Sequence, residues 1–135
     1  MGRFKLFIVA VASLAIMLLV VAVGCPGTSQ SPGILEGHVT IGPLSPVETP
    51  GEKPPVPPEV YEARKVMVYD ESGSRLVAQV DIDSEGRYRV ELKPGSYSVD
   101  INRIGIDHSA DVPTQVDIVS GGTVRLDIDI DTGIR

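Results

Sequence analysis

The segment from residue 81 to 86, Asp81-Ile-Asp83-Ser-Glu85-Gly86, places three carboxylates and a glycine in the order that opens a calcium-binding loop. Calcium takes about six to eight oxygen ligands, and in a helix–loop–helix site a glutamate at the twelfth position supplies two of them. The twelfth position here is Leu92, and strand-like segments flank the run. The pattern therefore favours a polar turn at the end of a strand, and no metal ligand is assigned to it.

Three aspartates alternate with apolar residues near the end of the chain, at Asp127, Asp129 and Asp131. On a strand they share one face, with successive Cβ atoms roughly 7 Å apart. Like charges so aligned repel one another, which a cation or a basic partner would relieve. We prefer a solvated edge strand that its charge protects from pairing with other chains, and weak cation binding stays open.

The only two histidines, His38 and His108, have no neighbour at the spacing of a zinc site, which needs roughly three or four ligands. His38 falls on the polar face of a predicted strand. His108 lies in the triplet Asp107-His108-Ser109, which has the residue types of a nucleophilic triad. No G-x-S-x-G elbow surrounds a serine. We expect no catalytic residue, no cofactor and no metal, so the chain is predicted not to be an enzyme.

The aromatic residues also bear on function, because sugar-binding faces commonly stack aromatic rings and this chain has no tryptophan. Tyr88 and Tyr97 lie on the apolar faces of predicted strands, where core packing is the better interpretation. A carbohydrate-binding module of the cell envelope is kept as the alternative function. Outside the N-terminal segment, the large rings are Tyr61, Tyr69, Tyr88 and Tyr97.

Residues 1–24 have the form of an export signal, with Arg3 and Lys5 before 19 uncharged residues. The segment ends in VAVGC, and Cys25 is the only cysteine. A small residue before a lone cysteine at this place resembles a bacterial lipobox, which implies lipidation of Cys25. Nineteen residues at ~1.5 Å each also suffice for an uncleaved membrane anchor. Simple secretion and a free buried thiol are the remaining alternatives.

Removal of that segment leaves 10 of the 12 basic residues against all 18 acidic ones, a net charge of −8 for residues 25–135. Such a charge disfavours nucleic acid as a partner. A single cysteine allows no intrachain disulfide, so a packed core must stabilise the domain. We expect a lipid-anchored protein of the cell membrane that faces outside the cytoplasm, attached through lipid or through an N-terminal helix.

Period-2 alternation of apolar and polar residues dominates the rest of the chain. Residues 25–33 form a short polar tether. Residues 42–62 hold seven of the eleven prolines, which predicts an extended crossover without helix or strand. Pro94-Gly95 suits a type II turn joining two strands. The pattern predicts one seven-stranded antiparallel β-sandwich of Greek-key type. Its strands are residues 34–42, 65–70, 75–83, 87–93, 96–102, 114–120 and 123–131.

The run from Asp83 to Val99 has the form D-x-x-G-x-Y-x-V-x-L-x-P-G-x-Y-x-V. It resembles the signature of carboxypeptidase regulatory-like domains, which share a transthyretin-like (prealbumin-like) sandwich. GHVTIGPLSPV, residues 37–47, is similar to their first strand. The resemblance covers about residues 34–131 and implies an accessory module without catalytic residues, in a wider fold group that includes carbohydrate-binding domains.

These observations together predict a non-enzymatic β-sandwich module tethered to a membrane outside the cytoplasm, with a binding or structural role. Its partner is an unidentified protein or glycan, and the one modified residue is Cys25.

Overall fold

The computed structural model of the chain describes residues 29–47, 49–51 and 54–135. The predicted signal at 1–24, Cys25 and the start of the tether lie outside the described residues and stay predictions. Within the described ranges, no helix is long and apolar enough to cross a membrane. The elements in chain order are β1 (Gly33–Gly42), α1 (Pro58–Glu62), β2 (Lys65–Asp70), β3 (Leu76–Asp81), β4 (Arg87–Leu92), β5 (Gly95–Ile101), β6 (Thr114–Ile118), β7 (Thr123–Arg125) and β8 (Ile128–Asp131).

The strands form two sheets, which confirms the predicted all-β sandwich. In the first sheet β1 lies between β4 and β7, and β8 also pairs with β1; the second has the order β3-β2-β5-β6. The predicted number of seven strands is wrong, since the described part of the chain has eight. The antiparallel prediction fails in one place, because β1 runs parallel to β7 and β8. The Greek-key arrangement stays a prediction.

The extra strand arises because the predicted strand at 123–131 is interrupted at Leu126 and Asp127. Glu36 pairs with Arg125 and Val39 with Ile128 at the same offset, so no residue is inserted. The amide of Leu126 still donates to the Glu36 carbonyl at 2.9 Å. Its carbonyl instead accepts a hydrogen bond from the Tyr88 hydroxyl at 2.5 Å. The ladder between β1 and this segment therefore lacks one hydrogen bond, the one that the Leu126 carbonyl would accept.

Gly37 makes this departure possible, because the Leu126 carbonyl occupies the space in which a side chain at residue 37 would begin. The Asp127 carboxylate then replaces the missing ladder carbonyl by accepting a hydrogen bond from the His38 amide at 2.9 Å. Loss of this bond would remove the net stabilisation of one hydrogen bond, about 1 kcal/mol. The His38 amide and the Leu126 carbonyl therefore each keep a partner at the interruption.

The stretch around Pro94-Gly95 is not a hairpin, because β4 and β5 belong to different sheets. The chain leaves the first sheet after Leu92, and Gly95 is already the first residue of β5, opposite Ile118. Gly95 has φ +153°, far from the value near +80° of a type II turn. The predicted turn is therefore wrong, although glycine is still favoured at this φ, where the link of Lys93 and Pro94 crosses between the sheets.

Inward-facing apolar residues from both sheets form one core, as the period-2 pattern predicts. The exception is Leu76, because a β-bulge places Tyr69 opposite Leu76 and Val68 opposite Ala78, leaving Val77 unpaired. Leu76 and Val77 are consequently 44% and 42% exposed. Fully buried members of the core are Leu35, Val39, Val66, Val68, Val99, Ile128 and Ile130.

The proline-rich crossover ends in the short helix α1, so the prediction that no helix forms between 42 and 62 is wrong. Pro58 stands in the first turn, where its missing amide donor costs nothing. Tyr61 of α1 is buried. After the helix, Arg64 forms an ion pair with buried Asp107 at 2.8 Å, which ties the crossover to the 102–113 connection.

Gly37→Ala tests the approach of Leu126 to β1. The new Cβ would overlap a backbone carbonyl that cannot move without opening the Tyr88 hydrogen bond. We expect a loss of about 2–3 kcal/mol in the free energy of unfolding, measured by urea titration. Gly42→Ala, at the last residue of β1, is the control, since nothing lies within 4 Å of its added Cβ. Equal losses in both variants would contradict the proposed contact.

Candidate functional site

The outer face of the first sheet carries a groove of about 630 Å³. The strands β1, β4 and β7 present their outward side chains to it, and the end of β3 forms its far wall. The charged and titratable residues of its lining are Glu36, His38, Asp81, Asp83, Arg87, Arg89 and Arg125. It brings together three of the arginines of an otherwise acidic chain.

The strand register fixes how these charges alternate. Glu36 lies between Arg89 of β4 and Arg125 of β7. The Arg89 guanidinium is 3.7 Å from the Glu36 carboxylate, a long ion pair between exposed groups. Arg125 instead pairs with Asp127 at 3.2 Å. Ion pairs this exposed contribute little, about 0–1 kcal/mol, so the arginines can exchange partners with a ligand at low cost.

The acidic run that imitates a calcium loop forms the rim of this groove and is a turn. Oδ1 of Asp83 accepts hydrogen bonds from the amides of Glu85 and Arg87, both at 2.9 Å. These bonds, led by that from Arg87, lower the pKa of Asp83. Within the described ranges, no three His, Cys, Asp or Glu side chains are grouped to hold a metal ion. The Asp83 carboxylate is therefore already hydrogen-bonded within its own turn.

The three alternating aspartates have different surroundings. Asp127 accepts the His38 amide, and this bond lowers its pKa. The Arg135 guanidinium bonds Asp131 at 2.8 Å and lowers the pKa of that carboxyl to about 2. Asp129 is exposed, and its amide donates to the Asp111 carboxylate at 2.8 Å. The backbone of β8 is thus partly covered by the 108–111 segment on its outer edge.

The structure separates the members of the triad-like triplet. The Asp107 carboxylate is buried against Arg64, and the Ser109 hydroxyl accepts the amide of Asp111 at 3.1 Å. His108 instead exchanges backbone hydrogen bonds with Asp131. His38 donates from Nε2 to the Glu85 carbonyl at 2.9 Å, since a carbonyl can only accept. The other side chains are thus bonded to neighbours in the fold, and Nε2 of His108 lies 3.5 Å from the Asp131 carboxylate.

The tyrosine rings are withdrawn from the surface. Tyr88 and Tyr61 are only 3% and 6% exposed, and burial raises the pKa of both hydroxyls. Tyr97 is half-buried and its hydroxyl donates to the Lys93 carbonyl at 2.6 Å. Tyr69 is also half-buried. Tyr61 and Tyr88 therefore cannot stack on a sugar ring, and Tyr69 and Tyr97 expose only part of theirs.

Sequence reasoning missed the groove because its arginines come from strands that are distant in the chain. Arg87 and Arg125 lie on opposite sides of β1. The available signal was the alternation itself, which places Glu36, His38, Arg87, Arg89 and Arg125 on polar strand faces. Their meeting on one sheet depends on the strand order, which alternation alone cannot specify.

The two sheets and this charged outer groove define the chain as a β-sandwich without a recognisable catalytic constellation in its described part. No protein-family model and no curated protein matches the chain. Among solved structures it is similar to GBS52, the minor pilin of Streptococcus agalactiae, with TM-score 0.51 and 18% identity over 76% of this chain and 45% of that one.

Two DUF3823 family proteins are also similar. The one from Parabacteroides merdae has TM-score 0.46 and 17% identity over 75% of this chain and 46% of that one. The one from Bacteroides ovatus has TM-score 0.43 and 16% identity over 72% and 44%. The chain spans less than half of each of these structures. At such identities the likeness to the pilin shows the fold alone.

Asp127→Ala tests the role of this carboxylate as a substitute for a ladder carbonyl. The variant leaves the His38 amide without its acceptor, so we expect a loss of about 1 kcal/mol in the free energy of unfolding. Asp129→Ala, two residues further along the chain, is the matched control, because the Asp129 side chain is exposed and its amide, not its carboxylate, makes the bond. If Asp129→Ala costs as much, charge alone explains the effect.

Proposed function

We propose that the chain is a non-enzymatic accessory module, held at a membrane outside the cytoplasm, that binds a partner through the groove on its first sheet. One observation carries this proposal. The side chains with catalytic potential, His38, Asp83 and Asp107, are bonded within the fold, while the groove collects three exposed arginines. A surface that offers exchangeable charges without a nucleophile–base pair suits binding and not turnover.

The finer assignment is a carboxypeptidase regulatory-like domain. Its support is the motif between Asp83 and Val99, together with a two-sheet sandwich in which the chain crosses between the sheets at the start of that motif and again at Pro94. The minor pilin is similar in fold, and its role as a pilin is a property of that protein. The glycan-binding alternative is less favoured, because Tyr61 and Tyr88 are buried and cannot stack on a sugar.

Membrane attachment at Cys25 would bring one end of the sandwich close to the membrane. The Pro32 carbonyl accepts the Gly121 amide at 3.2 Å, and β1 begins at Gly33. Pro32 lies seven positions after Cys25, a stretch that spans at most ~25 Å. The end of the sandwich formed by residues 93–95 and 119–122 would then face the membrane. The proline-rich crossover, at the opposite end of β1, would point away from it.

Metabolic labelling with a fatty-acid analogue in a bacterial host tests the lipid anchor. We expect the chain to carry label in the membrane fraction and Cys25→Ala to lose it, because no other cysteine exists. Thr28→Ala in the tether is the matched control and should keep its label. Label that persists in Cys25→Ala would refute lipidation at this residue. An unlabelled chain that stays in the membrane would identify residues 6–24 as an uncleaved anchor.

A further inference from the structure

One edge of the first sheet has no neighbouring strand in the described part of the chain. It belongs to β4, which pairs with β1 on its other side only. In β1 the Ile34 amide and the Glu36 carbonyl bond towards β7. Backbone groups of successive residues point to opposite edges of a strand, so the odd-numbered residues of β1 bond to β4. In β4, Tyr88, Val90 and Leu92 therefore face β1.

The backbone groups of Arg87, Arg89 and Glu91 point to the other edge. The acidic turn covers those of Arg87, because Asp83 bonds both its amide and its carbonyl at 2.9 Å. Arg89 and Glu91 are left with one amide and one carbonyl each, aimed outwards. Two residues with free backbone groups, one residue apart, present the unpaired donors and acceptors with which an edge strand pairs with another chain.

The side chains on this edge are available for the same purpose. Arg89 is exposed, and its ion pair with Glu36 is long, at 3.7 Å. Glu91 is exposed on the same face. Between them Val90 points towards the core but is only half-buried, because no strand covers the edge of the sheet beside it. An apolar residue is thus flanked by one charge of each sign.

We propose that a second copy of this chain pairs with this edge, β4 against β4 in antiparallel orientation, with Val90 on the two-fold axis. Arg89 of each copy then lies opposite Glu91 of the other. These two pairs exchange four backbone hydrogen bonds, the pattern of a hydrogen-bonded antiparallel pair. They also form two cross-strand ion pairs, and Val90 packs against its own copy.

The charges select this register over its neighbours. If one strand shifts by two residues in one direction, Arg89 lies opposite Arg89 of the copy. A shift by two residues in the other direction sets Glu91 opposite Glu91 of the copy. Both are destabilising, because like charges directly opposite each other repel. A shift by one would bring inward-facing residues opposite outward-facing ones. At the ends of the paired segment, Arg87 meets Lys93 of the copy. Arg87 is already paired with Asp83 and Glu85, which reduces that repulsion.

A single pair of strands buries little surface, so the association belongs to the weak class below about 1,200 Å². It goes beyond the proposed function, because it places a contact with a second copy on the edge of β4 and engages Arg89, one of the three arginines of the groove. Isologous pairing of one self-complementary patch closes as a dimer and does not propagate.

Thiol cross-linking in the full chain tests the register. All variants carry Cys25→Ala, so that the introduced cysteine is the one thiol. In this background Val90→Cys should form a disulfide-linked dimer on mild oxidation, because residue 90 meets residue 90 of the copy at a non-hydrogen-bonded site. Arg89→Cys and Glu91→Cys are the matched controls, because in this register each lies two residues along the strand from the same residue of the copy. We expect at least fivefold less dimer from either one. No dimer from Val90→Cys, or equal yields at the three positions, would overturn the proposal.

A charge exchange separates pairing from any local effect of the cysteine. Arg89→Glu should lower the Val90→Cys dimer yield at least fivefold, because it sets Glu opposite Glu91. Addition of Glu91→Arg should restore the yield, since the two charges are then exchanged but again opposite in sign. A double variant that stays as low as Arg89→Glu would overturn the ion pairs. Resistance of the monomers to protease confirms that each variant is folded.

Discussion

The carbonyl of Leu126 lies against Gly37 and accepts the Tyr88 hydroxyl, and the first sheet depends on this contact. β1 is the central strand of that sheet, and Gly37 is its residue between β4 and the β7–β8 interruption. A side chain at residue 37 would push Leu126 away. The Tyr88 hydroxyl, buried with its ring, would then lose its acceptor. One glycine therefore decides how three strands meet.

The same contact shapes the outer surface. Because Leu126 bonds inwards, Asp127 supplies the acceptor that His38 needs, and Arg125 pairs with the carboxylate so placed. His38 in turn holds the acidic turn through the Glu85 carbonyl. The groove and its rim thus rest on bonds that begin at the strand interruption. Side chains whose types indicate chemistry are engaged in holding the fold, while the arginines stay exposed for a partner.

Alternation was sufficient to predict a two-sheet sandwich and the inward direction of residues such as Tyr88 and Val99. It could not reveal which strands share a sheet, because the face on which a residue lies does not specify which strand pairs with its own. Pro94-Gly95 therefore suggested a hairpin where the chain crosses between sheets. Leu126 carries an apolar side chain in perfect alternation, so its interruption depends on Gly37, which lies 89 residues earlier. The position of the groove's arginines on both sides of β1 could not be predicted for the same reason.

The free energy of unfolding of Tyr88→Phe tests the central contact most directly, with Tyr97→Phe as its control. Both variants remove one hydroxyl that donates to a backbone carbonyl, but Tyr88 is buried and Tyr97 is half-buried near a loop. We expect a loss of about 1–2 kcal/mol for Tyr88→Phe, because the Leu126 carbonyl is left unsatisfied, and a smaller loss for Tyr97→Phe. An equal or smaller loss at Tyr88 would contradict this expectation.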